Sequence, residues 1–86
     1  MGHPEKQLAA VLSGLKDSSI NFKDICRLLE YLGFKCRQKG SHHIFYKEGI
    51  VEILNLQPLG NQAKAYQVRQ VRDLVLKYKL GGGLNV

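Results

Sequence analysis

The feature that most constrains this chain is a Gly-Ser pair between two short segments whose side chains alternate in character. Before the pair, residues 34–39 read Phe-Lys-Cys-Arg-Gln-Lys, and after it residues 42–47 read His-His-Ile-Phe-Tyr-Lys. Alternation with period two predicts half-buried strands, and glycine readily adopts the positive φ that a tight hairpin turn needs. The sequence therefore predicts a hairpin that turns at Gly40 and Ser41.

The segments on either side of the hairpin predict three helices and one further strand. Apolar residues at helical spacing predict a helix over Pro4–Leu15, opened by its proline. An asparagine N-cap and a terminal glycine bound the helix predicted over residues 21–33, which has a broad apolar face. Ile50–Leu56 predicts a third strand after a second turn, and Ala65–Leu80 predicts a last amphipathic helix.

These elements predict one domain of the α+β class. The order α-α-β-β-β-α favours a two-layer sandwich, with a three-stranded antiparallel sheet and the helices on one of its faces. A length of 86 residues and 44% apolar residues allow one modest core. We expect that core within residues 20–80, an extra N-terminal helix at residues 4–15 and a flexible tail at residues 81–86. Residues 1–3 are assigned no role.

The charge and the apolar pattern narrow the class of protein. Thirteen basic and seven acidic residues give a net charge of +6, which favours a polyanion partner, nucleic acid first. An acidic protein partner also fits, as does a basic surface that serves only solubility. No apolar run approaches the ~20 residues of a membrane span, and Leu8–Leu15 is too short for a signal peptide. We therefore expect a cytoplasmic protein without membrane contact, in which Cys26 and Cys36 are buried, reduced thiols.

The adjacent histidines of the second strand are the first candidates for chemistry. Neighbouring strand residues point to opposite faces, so His42 groups with Ile44 and Tyr46, and His43 groups with Phe45. We expect Ile44 and Tyr46 on the core side, which leaves His43 and Phe45 facing solvent. Histidine exchanges protons near neutral pH, which suits general acid–base catalysis. A surface histidine without a catalytic role is the alternative.

Basic residues surround these strands. Lys35, Arg37 and Lys39 share one face of the first strand by the same alternation, and Lys47 ends the second strand. We expect them on the open face that carries the solvent-facing histidine. There the cations would bind RNA phosphates, and the ring of Phe45 would stack on bases. A strand face that is merely solvated is the alternative.

Two further expectations concern metal binding and the last helix. Adjacent strand histidines do not readily share one metal ion, and the cysteine and histidine spacing is not that of a zinc site, so we expect no metal. Tyr66, at the start of the last helix, is either a core residue or a contact at the rim of the site.

Three stretches of the sequence together resemble a known family. They are Phe22-Lys23-Asp24, Leu32-Gly33-Phe34 and the run from Arg37 to Ile44, which reads Arg-Gln-Lys-Gly-Ser-His-His-Ile. A helix that ends in Leu-Gly-Phe, followed by a strand and Gly-Ser-x-His, is similar to the HicA family of toxin–antitoxin mRNA interferases. The similarity covers residues 20–80.

This resemblance implies a double-stranded-RNA-binding-domain-like fold and cleavage of mRNA without metal or cofactor. It implies that His43, in fourth place of Gly-Ser-x-His, is the catalytic residue, with Gly40, Ser41 and His42 as the supporting motif. It also implies a HicB-like antitoxin as protein partner, through which any contact with DNA is made indirectly.

The chain departs from the family pattern in two places. Many members have a proline and a second histidine just after the third strand, whereas residues 56–59 here read Leu-Gln-Pro-Leu. The helix at residues 4–15 is an extension that covers the helical layer or pairs with a partner. The favoured interpretation is an mRNA endoribonuclease that uses His43. A non-catalytic RNA-binding module and an antitoxin-binding protein are the alternatives.

Overall fold

A computed structural model describes residues 4–81, which form three helices and a three-stranded antiparallel sheet in the predicted order. The predicted α+β class is confirmed, and the arrangement is compatible with a double-stranded-RNA-binding-domain-like fold. Residues 1–3 and all but the first residue of the predicted tail lie outside the described residues. The helices are α1 (Pro4–Ser13), α2 (Phe22–Tyr31) and α3 (Ala65–Tyr78), and the strands are β1 (Lys35–Lys39), β2 (His42–Tyr46) and β3 (Leu54–Leu56).

Helix α2 is fixed at both ends by the signals that predict it. The side chain of Asn21 accepts a hydrogen bond from the Lys23 amide at 2.9 Å, which satisfies a free N–H group of the first turn. At the other end Gly33 has a φ of +97°, and the Phe34 amide donates to the Leu29 carbonyl at 2.9 Å, as in a Schellman motif. The buried stripe of α2 consists of Phe22, Ile25, Leu28 and Leu29.

All three helices are shorter than predicted, α2 by three residues and the other two helices by two residues each. Helix α1 ends at Ser13 because Gly14 adopts a φ of +71°. Helix α3 ends at Tyr78 because Lys79 is left-handed, with a φ of 53°, before the run of glycines is reached. None of the three helices in residues 4–81 has the length and apolar character that a bilayer span requires.

The hairpin turns where the sequence predicts it. Lys39 of β1 is paired with His42 of β2, so the turn contains only Gly40 and Ser41. Of these two residues, Gly40 has a positive φ, 61°, which is the arrangement of a type II′ hairpin. Strand β2 lies between β1 and β3, so β1 and β3 are the edges of the sheet.

The third strand is shorter than the predicted segment Ile50–Leu56. The Ile50 amide donates to the Lys47 carbonyl at 3.0 Å, which makes a turn. The chain then runs beside α3, where the carboxylate of Glu52 accepts hydrogen bonds from Lys77 at 2.6 Å and from the Tyr78 hydroxyl at 2.5 Å. Residues 50–53 therefore connect the sheet to α3 instead of extending the sheet.

A single core lies between the sheet and the helices. Helices α2 and α3 pack on one face of the sheet, and α1 packs on α2 and α3. The guanidinium of Arg72 in α3 donates to the Val11 carbonyl at 3.1 Å and to the Asp17 carboxylate at 2.9 Å. The extra N-terminal helix therefore covers the helical layer and contributes Leu8 and Val11 to the core.

Candidate active site

The register of the sheet decides which histidine faces the helices. His43 pairs with Leu56 of β3 and Phe45 pairs with Leu54, and cross-strand partners point to the same face. Phe45 and Leu56 are both 0% exposed beneath the helices. His43 and Phe45 therefore lie on the helix-facing side of the sheet, with His43 still partly exposed at its margin. The prediction that these two residues share the open face is wrong.

Strand β2 has apolar residues on both of its faces, so the alternation of its side chains does not predict which face packs against the helices. Phe45 belongs to one face, and Ile44 and Tyr46 belong to the other. The length of the turn does predict it. A two-residue turn pairs Lys39 with His42, so the basic residues of β1 and His42 lie on the same face of the sheet and His43 lies on the opposite face. A fully buried ring has no surface for a base, so the prediction that Phe45 contacts RNA is also wrong.

The predicted basic face exists, but on the other side of the sheet from His43. Lys35, Arg37 and Lys39 are exposed on the outer face, as predicted for β1. The guanidinium carbon of Arg37 lies 5.9 Å from the centroid of the Tyr46 ring on the same face. The thickness of the sheet separates these cations from the helix-facing histidine.

Two other predicted members of the site are also held away from His43. The amino group of Lys47 packs against Gly33 beyond the end of α2, where a Cβ atom on the glycine would lie 2.6 Å from Nζ. Nδ1 of His42 lies 3.0 Å from Oδ1 of Asn55 on the outer face. Of the residues predicted around His43, the structure thus keeps the turn but not the cations.

A main-chain contact favours one tautomer of His43. Nδ1 lies 3.2 Å from the Ser41 carbonyl oxygen, and because a carbonyl only accepts, this contact is a hydrogen bond when Nδ1 carries the hydrogen. The ring packs edge-on against Phe22, with centroids 4.9 Å apart and an angle of 71° between the planes. Nε2 has no hydrogen-bond partner among residues 4–81. In the Nδ1–H tautomer of the neutral ring, Nε2 is therefore a free proton acceptor.

His43 borders a depression of about 360 Å³ between α2 and the sheet. Two exposed cations of α2, Lys23 and Arg27, also line it. Asp24 lies 3.9 Å from Arg27, a loose pair that leaves the guanidinium exposed. The cations that line the depression together with His43 thus come from α2 and not from β1. The remaining lining residues are Phe22, Cys26, Glu30, Cys36, Gln38 and Phe45.

A second depression, of about 370 Å³, adjoins the first along α2. The two share Phe22 and Lys23, so they form one extended concave surface beside the N-terminal turn of the helix. The loop that closes the second depression is fixed to α2 by a hydrogen bond from the Phe22 amide to the Asn61 carbonyl at 2.9 Å. The other lining residues are Asn21, Pro58, Gly60 and Asn61.

Both cysteines are free and lie at the first depression. Cys26 is half-buried, but Cys36 is exposed because it lies on an edge strand, so the prediction that both are buried is wrong for Cys36. Burial, with smaller effects of Cys36 and Glu30, raises the pKa of Cys26 from 9.0 to about 12. Burial and Glu30 also raise the pKa of Cys36. Both thiols therefore stay protonated at neutral pH, which makes them poor nucleophiles.

The side chains of the site do not make a metal centre. Within residues 4–81, no three His, Cys, Asp or Glu side chains are grouped so that they would hold a metal ion. The polar groups available at the depression are therefore one imidazole, two cations, the carboxylate of Glu30, the amide of Gln38 and two protonated thiols.

Sequence reasoning missed three residues near the site. Lys23 and Arg27 are four residues apart on the helix that precedes the strands, and this spacing places them on one helix face. Gln57, whose amide donates to the Ser41 hydroxyl at 2.9 Å, has no sequence signal, because it meets the turn only through the fold. Tyr66, for which two positions were open, is 50% exposed and so lies at the surface.

Comparison with known proteins supplies the family. The family described as the HicA toxin of bacterial toxin–antitoxin systems matches residues 22–78, which take in α2, the sheet and α3 and leave out α1. No curated protein and no solved structure matches the chain. The matched region is about two thirds of the 86 residues. The chain therefore belongs to the HicA toxin family, whose members are toxins that act with an antitoxin partner.

Proposed function

We propose that this toxin is an endoribonuclease that cleaves mRNA without a metal ion, with His43 as the general base. The tautomer of His43 carries the proposal. Nδ1 donates to the Ser41 carbonyl at 3.2 Å, so Nε2 is the ring nitrogen available to a substrate in the depression between α2 and the sheet. The family assignment supports the role, because the HicA family that the motif around His43 resembles is one of toxin–antitoxin mRNA interferases.

RNA suits a single imidazole, because it carries its own nucleophile beside each phosphodiester. Nε2 of His43 accepts the proton of a 2′-hydroxyl as that oxygen attacks the adjacent phosphorus, and the bond to the 5′-oxygen of the next nucleotide breaks. The leaving oxygen takes a proton from water, and the hydroxide that remains takes the proton from the imidazolium of His43, which restores the base. The products are one RNA that ends in a 2′,3′-cyclic phosphate and one that begins with a 5′-hydroxyl. Lys23 and Arg27 stabilise the charge that develops on the phosphate oxygens.

The cations of β1 have a place in this proposal beside the cleaved bond. Strand β1 is an edge of the sheet, so RNA that leaves the depression over this edge meets Lys35, Arg37 and Lys39 on the outer face. Such cations bind phosphates irrespective of sequence. A flexible single strand follows this path, whereas a stiff duplex does not. We therefore propose single-stranded stretches of mRNA as the substrate.

A HicB-like antitoxin is the proposed protein partner. The net charge of +6 supports a partner of acidic character, since charge complementarity speeds association and selects partners. An antitoxin that covers the depression at His43 would keep RNA from Nε2. Contact with DNA would then be made by the antitoxin.

A cleavage assay on a single-stranded transcript in the presence of EDTA tests the proposal. We expect the wild-type protein to cut the transcript and His43→Ala to lose about 10²–10⁴-fold in kcat/KM, the usual worth of a general base. Binding of the transcript should persist in this variant. His42→Ala is the matched control, because it removes the same side chain from the neighbouring position on the other face of the sheet. It should cleave at nearly the wild-type rate.

Substrate chemistry provides a second readout. An oligonucleotide with a single 2′-deoxyribose at the cleaved position should stay intact, and mass spectrometry should find a cyclic phosphate on the product of normal RNA. Cleavage by His43→Ala at the wild-type rate, or loss of wild-type cleavage in EDTA, would refute the proposal. A wild-type protein that binds the transcript but never cuts it would be a non-catalytic RNA-binding module.

A further inference from the structure

A buried glutamine of α3 begins a chain of hydrogen bonds that ends at His43. Gln67 is only 1% exposed. When its side-chain amide is oriented to satisfy both main-chain groups of Gln57, it donates to the main-chain carbonyl of Gln57 at 3.1 Å and accepts from the main-chain N–H of Gln57 at 3.0 Å. Buried polar groups of this kind are strongly held, because an unpaired one loses its hydration without compensation. The loop after β3 is therefore anchored to α3 at Gln57.

The side chain of Gln57 in turn contacts the hairpin turn. Its Nε2 donates to the Ser41 hydroxyl at 2.9 Å, and the Ser41 carbonyl in turn faces Nδ1 of His43 at 3.2 Å. The turn is otherwise exposed, and a Cβ atom on Gly40 would meet nothing within 4 Å. The bond from Gln38 to the Gly40 carbonyl, at 3.2 Å, stays inside the hairpin. The bond from Gln57 instead ties the turn to the body of the domain.

We propose that Gln57 is a positioning residue for His43. Anchored by Gln67, it holds Ser41 so that the Ser41 carbonyl selects the Nδ1–H tautomer and leaves Nε2 free to accept a proton. An unconstrained imidazole favours the opposite tautomer, with hydrogen on Nε2, so the carbonyl contact has to be maintained for the base to work. The expected effect of Gln57 on RNA cleavage rests on the proposed function, whereas its expected effect on the tautomer of His43 does not depend on any activity.

The tautomer of His43 is measured directly by long-range ¹H–¹⁵N correlation of its imidazole, at a pH where the ring is neutral and without RNA. Gln57→Met removes the donor but keeps an unbranched side chain, and Gln70→Met at an exposed position of α3 is the matched control. We expect Nδ1–H in the wild type and the control. In Gln57→Met we expect a shift toward Nε2–H of roughly two- to tenfold, the range of one net hydrogen bond. Gln57→Glu should restore the wild-type ratio, because the Ser41 hydroxyl can donate to a carboxylate.

Cleavage kinetics then test the consequence for catalysis. For Gln57→Met, kcat on single-stranded RNA should fall in proportion to the fraction of His43 that keeps hydrogen on Nδ1, and so by at most the factor measured for the tautomer ratio, with KM unchanged because Gln57 is not a substrate contact. A folded Gln57→Met with the wild-type tautomer ratio refutes the positioning role, and so does a wild type that already carries hydrogen on Nε2. If Gln57→Met does not fold, Ser41→Ala breaks the same bond from the other side and is judged by the same ratio. A wild type that cuts no RNA refutes the proposed function, while the tautomer still decides the role of Gln57.

Discussion

Replacing Phe45 by alanine tests which side of the sheet carries His43. Phe45 is 0% exposed, on the central strand and within the core that the helices close. Removing its ring costs the transfer free energy of the lost atoms and leaves a cavity, together about 3–5 kcal/mol. A chain of 86 residues has a free energy of unfolding on the order of 4–13 kcal/mol, at roughly 0.05–0.15 kcal/mol per residue. The substitution therefore removes a large part of the total stability.

Urea unfolding followed by far-ultraviolet circular dichroism measures this loss. With an m-value of about 1–3 kcal/mol/M, the midpoint of Phe45→Ala should fall by at least about 1 M while m stays constant. Tyr46→Ala is the matched control, since it removes a neighbouring aromatic ring that lies on the outer face and is partly exposed. Its loss should be about 1 kcal/mol, the centre of the usual range for single substitutions.

The result that refutes this reasoning is specific. If Phe45→Ala unfolds at the wild-type midpoint but no longer binds RNA, then Phe45 faces solvent and serves as a base platform. The same result would place His43 on the face of the β1 cations. A larger loss of stability in Tyr46→Ala than in Phe45→Ala would likewise reverse the two faces.

Two more predictions concern pH and thiol chemistry. Hydrogen bonds from Lys77 and Tyr78 lower the pKa of Glu52 from 4.5 to about 2. Ionised Glu52 therefore stabilises the fold above a pH of 4.5, its pKa in the unfolded chain, and this stabilisation is lost as the pH falls from 4.5 to about 2. Glu52→Gln should therefore be less stable than the wild type near neutral pH and converge with it in acid, as measured by urea unfolding; parallel curves would contradict this. Iodoacetamide at mildly alkaline pH should label exposed Cys36 before Cys26, whose pKa is raised to about 12 by burial. Mass spectrometry should find the second label only after unfolding, and two equal labels in the native protein would contradict the burial.

The elements that the sequence predicts well are those whose signals are local. Helix α2 carries a cap, an apolar stripe and a terminal glycine within about a dozen residues, and all three act as expected. The third strand depends instead on where the preceding turn closes. The hydrogen bond from Ile50 to Lys47 and the attachment of Glu52 to α3 divert the chain before Leu54, and neither is visible in the alternation of residues 50–56.

The candidate site divides in the same way. Its histidine and its turn are contiguous in sequence, and the motif identifies them. The face of β2 was predictable from the two-residue turn but not from the apolar pattern, since Phe45 and Ile44 occupy alternate positions and both are apolar. Lys23 reaches the depression only because α2 packs over the sheet, and Gln57 reaches Ser41 only because the loop after β3 is anchored to α3. Such contacts are products of tertiary packing.

The alternation of side chains along β2 means that the strand register decides which of the two histidines faces the helices. His42 and His43 are identical groups one residue apart, and a slip of one residue in strand pairing would exchange their faces. The same slip would drive the ring of Phe45 out of the core, which the fold does not tolerate. Burial of Phe45 and the position of His43 therefore depend on the same strand register. A molecule that buries Phe45 in the core also places His43, and not His42, at the depression.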